Sequence, residues 1–120
     1  MRDYRKYDVW VKAHEMCLFV YKEVTVCFPK DEKFELTTQL RSAAFSVPLN
    51  IVEGCGRSTD KDFAHFLDMS LGSAHEVEYC LLLGLDLGYL SKEKHEVANQ
   101  KTNDVKAMLI KLIKPVGINN

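Results

Sequence analysis

The sequence predicts an all-α fold, an antiparallel up-down-up-down four-helix bundle with a Pro-kinked second helix. Three observations lead there. Apolar residues recur at alternating steps of three and four in four separate stretches, the spacing of one face of an α-helix. Short segments marked by Pro29, by Gly54 and Gly56, and by Gly88 separate these stretches, as suits neighbouring helices of a bundle. No stretch alternates apolar and polar residues as a half-buried strand does. With 120 residues, 47% hydrophobic and 28% charged, the chain is expected to form one globular domain over residues 1–120.

In the first helix, from Val9 to about Cys27, Trp10, Ala13, Cys17, Val20, Val24 and Cys27 form a heptad seam. Leu18, Tyr21 and Phe28 form a second stripe, with Met16 and Phe19 on a third side. That is more apolar surface than a helix with two neighbours needs. Deep packing or contact with another subunit accounts for the excess. Phe28-Pro29-Lys30-Asp31 ends this helix, and Asp31 is read as the N-cap of the next, with Glu32 and Glu35 near its positive end.

Helix 2 has a seam of Leu36, Leu40, Ala44, Val47 and Ile51, with Ala43 beside it, and a largely polar stripe of Gln39, Ala43, Ser46, Asn50 and Glu53. Pro48 has no N–H and its ring crowds the carbonyl of Ala44, so a kink is expected there. Gly54 and Gly56 are read as a left-handed stop. Thr59 opens helix 3 with Asp62 as a capping partner, and Phe63, Leu67, Ser70, Ala74, Val77, Leu81 and Gly84 line its seam. The small residues Ser70, Gly72, Ser73 and Ala74 leave room for a neighbouring backbone or for an aromatic ring such as Trp10 or Phe45. After a turn at Gly88-Tyr89-Leu90, Ser91 caps helix 4, whose seam is Ala98, Thr102, Val105, Leu109 and Leu112. That helix is expected to stop near Pro115, before a frayed Gly-Ile-Asn-Asn tail.

A net charge of −1 offers no global attraction for nucleic acid or an anionic membrane. It conceals an uneven distribution: +2 over residues 1–30, −1 over 31–57, −5 over 58–90 and +3 over 91–120. Pairing between helices or subunits is one account of this. The other is a basic surface for RNA or DNA formed by Arg2, Arg5, Lys6, Lys12, Lys94, Lys101, Lys106, Lys111 and Lys114. The longest apolar run includes Lys22 and Glu23 and is too short to span a bilayer, and no signal peptide is visible, so a cytoplasmic protein without membrane contact is expected. Cys17, Cys27, Cys55 and Cys80 contain no C-x-x-C pair and are read as buried free thiols.

Catalytic signals are sparse. Asp62-x-x-His65 and His75-x-x-Glu78 lie on the same helix and cannot form a metal cage contributed by four helices, so no metal is expected. Gly54-Cys55-Gly56 is too short for a phosphate loop, and no cofactor is expected. Ser46, Asn50 and Glu53 share a face at i, i+4 and i+7 beside the proline. The alternative to a binding module is therefore a small enzyme using a buried Glu53/Asn50 polar site at the kink. A carboxylate satisfied by Ser46, Asn50, Arg57 or free backbone donors is the plainer account.

Several of these residues carry a resemblance: Trp10-x-x-Ala13, Phe28-Pro29, Gln39-Leu40-Arg41 and, above all, the motif Ser46, Val47, Pro48, Asn50, Ile51, Glu53 and Gly54. Gly56-Arg57, Phe63, Phe66-Leu67, Gly72-Ser73, Glu76-x-Glu78 and Leu87-Gly88-Tyr89-Leu90 extend it over nearly the whole chain. The sequence resembles the family of four-helix bundle proteins encoded in intervening sequences of bacterial 23S rRNA genes. The resemblance implies a homopentameric ring of antiparallel bundles with no known catalytic activity. Through a relative, the accessory variability determinant of diversity-generating retroelements, it also implies binding to nucleic acid and to a reverse transcriptase. The slightly acidic net charge departs from that relative.

Overall fold

The computed structural model describes residues 2–118, with no strand among them. Four α-helices make up most of the chain: α1 (Asp8–Phe19), α2 (Leu36–Cys55), α3 (Asp60–Asp86) and α4 (Lys92–Ile118). A 3₁₀ turn at Tyr4–Lys6 precedes α1. A π-helical turn at Val20–Val24 and 3₁₀ turns at Thr25–Cys27 and Lys30–Glu32 join α1 to α2. Each helix packs on the next and α4 packs back on α1, in a body of 45 × 23 × 20 Å. Along α2 and α3, Gln39 meets Glu76, Val47 meets Ser70 and Gly54 meets Phe66, so the two helices run in opposite directions. Along α1 and α4, Tyr7 lies near Lys111, Phe19 near Lys101 and Glu23 near Lys94, which gives the same relation. The start of α1, the end of α2, the start of α3 and the end of α4 thus share one end of the bundle.

Three of the four seams lie where the periodicity puts them. Leu36, Leu40, Ala44, Val47 and Ile51 of α2 are buried, as are Phe63, Leu67, Ser70, Ala74, Val77, Leu81 and Gly84 of α3. In α4, Ala98, Thr102, Val105 and Leu109 are buried and Leu112 is half-buried. The first helix differs. Its core face is Val9, Ala13, Met16, Val20 and Val24, with Thr25 and Phe28 beyond them, whereas Trp10 and Cys17 are half-buried and Cys27 is exposed. The cause beyond Val20 is the π turn. The Thr25 N–H bonds the Val20 carbonyl five residues back, which places an extra residue in the turn and rotates the residues beyond it. The Thr25 hydroxyl donates to the same carbonyl at 3.2 Å and accepts from Arg41 Nε at 2.9 Å, tying the turn to α2. Phe28 then enters the core against Gly84, where an added Cβ would stand 3.0 Å from the ring.

The junctions bring further corrections. Asp31 belongs to the 3₁₀ turn and does not cap α2, which starts at Leu36. Glu32 takes part in that junction, since its Oε1 accepts from the Leu36 N–H at 3.3 Å. Glu32 Oε2 also accepts from the Tyr89 hydroxyl at 2.8 Å, and this bond pushes the phenol pKa up. Thr59 and Ser91 cap α3 and α4 through Oγ contacts of 3.1 and 3.2 Å to the Asp62 and Lys94 N–H groups. Gly54 lies inside α2 and Gly56 is right-handed at φ −82, so neither forms the expected left-handed stop. Among the described residues that conformation belongs to Gly88 at φ +80. Helix α2 continues through Pro48, and α4 continues past Pro115 to Ile118. Of the expected frayed tail, Asn119 and Asn120 lie outside the described residues. Open space adjoins Gly72, Phe45 is 52% exposed and Trp10 packs on Tyr4 and His14, so neither ring fills the small-residue stretch of α3.

Two measurements check this packing. A Cβ at Gly54 would stand 2.9 Å from Phe66 Cβ and 3.1 Å from Phe63 Cδ1, atoms that retreat only if α3 moves. Gly54→Ala should therefore destabilise by about 1–2 kcal/mol in urea titration despite the higher helix propensity of alanine. An unchanged midpoint would show that the two helices do not meet this closely. Burial raises the thiol pKa of Cys17, Cys55 and Cys80, and Cys55 and Cys80 lie inside the core. A thiol reagent at neutral pH should modify exposed Cys27 first and reach Cys55 and Cys80 only on unfolding. Rapid modification of all four thiols in the native protein would contradict this arrangement.

Candidate functional site

The motif around Pro48 is engaged in holding α2 against α3. The Asn50 side chain donates to the Ser46 carbonyl at 2.9 Å, and Ser70 Oγ of α3 donates to the Val47 carbonyl at 2.8 Å. Both accepting carbonyls immediately precede the proline, which itself is buried. Gly54 provides the close approach to Phe63 and Phe66 one turn later. Glu53, expected to be buried if this face were catalytic, is exposed and points away from the core. Of the polar stripe, Ser46 and Asn50 are half-buried and joined to each other within α2, and Glu53 is left in solvent. Ser70 was legible only as a small seam residue, because its bond partner is 23 positions away.

The nine basic candidates separate into three groups. Arg2 bonds Asp60 and the Arg57 carbonyl and lies 4.2 Å from the centre of the Phe63 ring. Lys106 pairs with Glu78 at 2.9 Å, and Lys94 reaches the Glu23 carboxylate at 3.6 Å and its carbonyl at 3.1 Å. These three join the basic outer helices to other parts of the bundle. Lys12 makes a looser pair with Glu15 at 3.6 Å, and the Lys101 ammonium lies 5.6 Å from the Phe19 ring centre. Arg5, Lys6, Lys111 and Lys114 are exposed and have no ion pair among the described residues. All four lie at the end of the bundle where α1 begins and α4 finishes.

A contact that spacing alone did not single out lies at the same end. Trp10 stacks on His14 with centroids 5.1 Å apart and planes 8° apart, and Tyr4 meets Trp10 edge-on at 4.9 Å. The i, i+4 relation of Trp10 and His14 was its visible trace in the sequence. Surface hollows lie beside Lys111, Tyr7 and Val9, beside Arg2 and Arg57, and between α3 and α4 at His75, Tyr79 and His95. Among the described residues no three His, Cys, Asp or Glu side chains are placed to hold a metal ion. No described helix is long and apolar enough to cross a membrane.

Comparison with known proteins gives these features a setting. No match was found among curated protein sequences. The chain is similar to a crystal structure of a protein of unknown function from the S23 ribosomal protein family of Bacteroides thetaiotaomicron, with a TM-score of 0.81 and 26% identity. The alignment covers 88% of this chain and 95% of that one. The sequence model of the 23S rRNA-intervening sequence proteins matches residues 5–111, a span that includes the Ser46–Gly54 motif and the core seams as far as Leu109. The chain therefore belongs to the 23S rRNA-intervening sequence protein family.

Proposed function

We propose that the protein is a non-enzymatic scaffold, a homopentameric ring that binds nucleic acid through its exposed basic end. The observation that carries this reading is an apolar face without a partner in the single chain. Val11, Leu18 and Tyr21 of the first helical stretch and Phe45 and Leu49 of α2 are each more than a third exposed. Arg41, Phe45 and Leu49 step by four along one side of α2, and the Arg41 guanidinium lies over Tyr21. That contact sets the two apolar stripes side by side, and contiguous patches of this kind mark interaction surfaces. In this reading Pro48 bends α2 so as to direct the patch towards a neighbour.

A closed ring needs a second, different patch on each copy. Tyr79 and Leu82 on the outer side of α3 are also well exposed, and they lie in the segment of net charge −5, opposite in sign to residues 1–30. Repeating the basic end around a ring suits a polyanion, because several weak phosphate contacts then act together.

Light scattering coupled to gel filtration should give a multiple of 13.7 kDa for the native protein and the single-chain mass for Phe45→Glu. A native mass of one chain at micromolar concentration would defeat the assembly claim. Lys111→Glu combined with Lys114→Glu should weaken oligonucleotide binding about ten-fold or more at low salt, and should flatten its dependence on salt. An equally steep salt dependence in this variant would place the phosphate contacts elsewhere.

A further inference from the structure

At the end of the bundle where α1 starts, four side chains form a ladder on the surface. The Arg5 guanidinium lies 5.0 Å from the centre of the Tyr4 ring, Tyr4 meets Trp10 edge-on, and Trp10 stacks parallel to His14. Exposure rises along it, from half-buried Tyr4 and Trp10 to exposed His14. Packing of the core accounts for Tyr4 and Trp10 but not for His14, whose imidazole is parallel to the indole and leaves its outer face to solvent. Two other arginine–ring contacts lie at this end, and neither ring is continued by a parallel stack. Arg2 covers the buried Phe63 ring and bonds Asp60, and Arg57 lies over Phe66. Arg5 and Lys6 have no ion pair among the described residues. The nearby carboxylates in sequence are Asp3, which accepts the Arg5 backbone N–H, and exposed Asp8.

We infer that His14, Trp10 and Tyr4 form a stacking platform for bases of single-stranded nucleic acid, with Arg5 and Lys6 holding the adjoining phosphates. The inference rests on the nucleic-acid reading above and names the class of ligand. An unpaired base continues the parallel stack on the free face of His14, and every base has such a π-face, so the site tolerates many sequences. A duplex keeps its bases stacked on one another and offers this platform only its backbone. Cations and rings interleaved along one edge fit a strand whose phosphates and bases alternate in the same way. His14 is one turn from Val11 and Leu18, so the platform borders the apolar face proposed for assembly.

Trp10 is the sole tryptophan, so its emission reports on the ladder directly. The assembled protein is titrated with oligo(dT) of about 12 nucleotides and with a duplex of equal length, while label anisotropy records binding separately. The single strand should quench Trp10 and bind at least about ten-fold more tightly than the duplex. His14→Ala and Trp10→Leu should each remove most of that preference and leave duplex affinity unchanged. Binding of both probes without quenching, or a preference that survives in both variants, would overturn the platform while leaving the nucleic-acid reading in place. Absence of binding by either probe would overturn both. Circular dichroism of His14→Ala, a change at an exposed helical position, confirms that loss of preference is not loss of fold.

Discussion

The close approach of α2 to α3 is the constraint on which the remaining structure depends. Proline within α2 removes one backbone donor, a loss that ordinarily weakens a helix. Here the carbonyls just before it receive two side-chain donors, Asn50 from the same helix and Ser70 from the facing one. Gly54 then lets the Phe63 and Phe66 side chains of α3 lie directly on the backbone of α2. With α2 and α3 fixed at this separation, the four-residue link between them places Thr59 to cap α3. Arg2 can then bridge from the N-terminal segment to Asp60. The family motif is therefore used up in joining two helices, and its most polar residue, Glu53, is not drawn into that joint.

The first helix is governed by a different constraint. A π turn needs one more residue than an α turn, and Thr25 holds it through its own hydroxyl and through Arg41. The rotation exposes Val26 and Cys27 and sends Phe28 inward to Gly84. Gly84 is therefore the seat of a ring and not merely a weak point near the end of α3. The same turn leaves Tyr21 half in solvent beneath Arg41, at the edge of the apolar face.

These two constraints explain how much of the fold is legible in the chain. The seams of α2, α3 and α4 can be read because an unbroken α period relates sequence position to face, and Pro48 does not interrupt it. In the first helix two apolar faces share the same period, and the core takes Val9, Ala13 and Met16 in place of Trp10 and Cys17, while beyond Val20 a single wide turn shifts the face and exposes Cys27 without leaving a composition signal. The Asp31 cap fails for a related reason. Asp31 is the one preferred cap by type between Pro29 and Leu36, but a 3₁₀ turn takes it up, and Glu32 is held there by Tyr89, a partner 57 positions away. Charge obeys the same rule. Segment totals are readable, but only the fold shows that Arg2, Lys94 and Lys106 are engaged by Asp60, Glu23 and Glu78 while Lys111 and Lys114 are not.

That division of the cations limits how any polyanion can be held. A net charge of −1 gives no long-range attraction, and pairing removes several of the basic side chains from the count. Of the nine basic candidates, Arg5, Lys6, Lys111 and Lys114 are exposed without an ion pair among the described residues and sit at one end of a slender bundle, so a single copy would make few phosphate contacts there, each easily screened by salt. Useful affinity then requires either several copies presenting the same end together or an interaction that salt does not screen. The apolar face across α1 and α2 offers the first, and the parallel rings of Trp10 and His14 offer the second. Neither feature involves Ser46, Asn50 or Glu53, so a change at the α2–α3 joint leaves both in place.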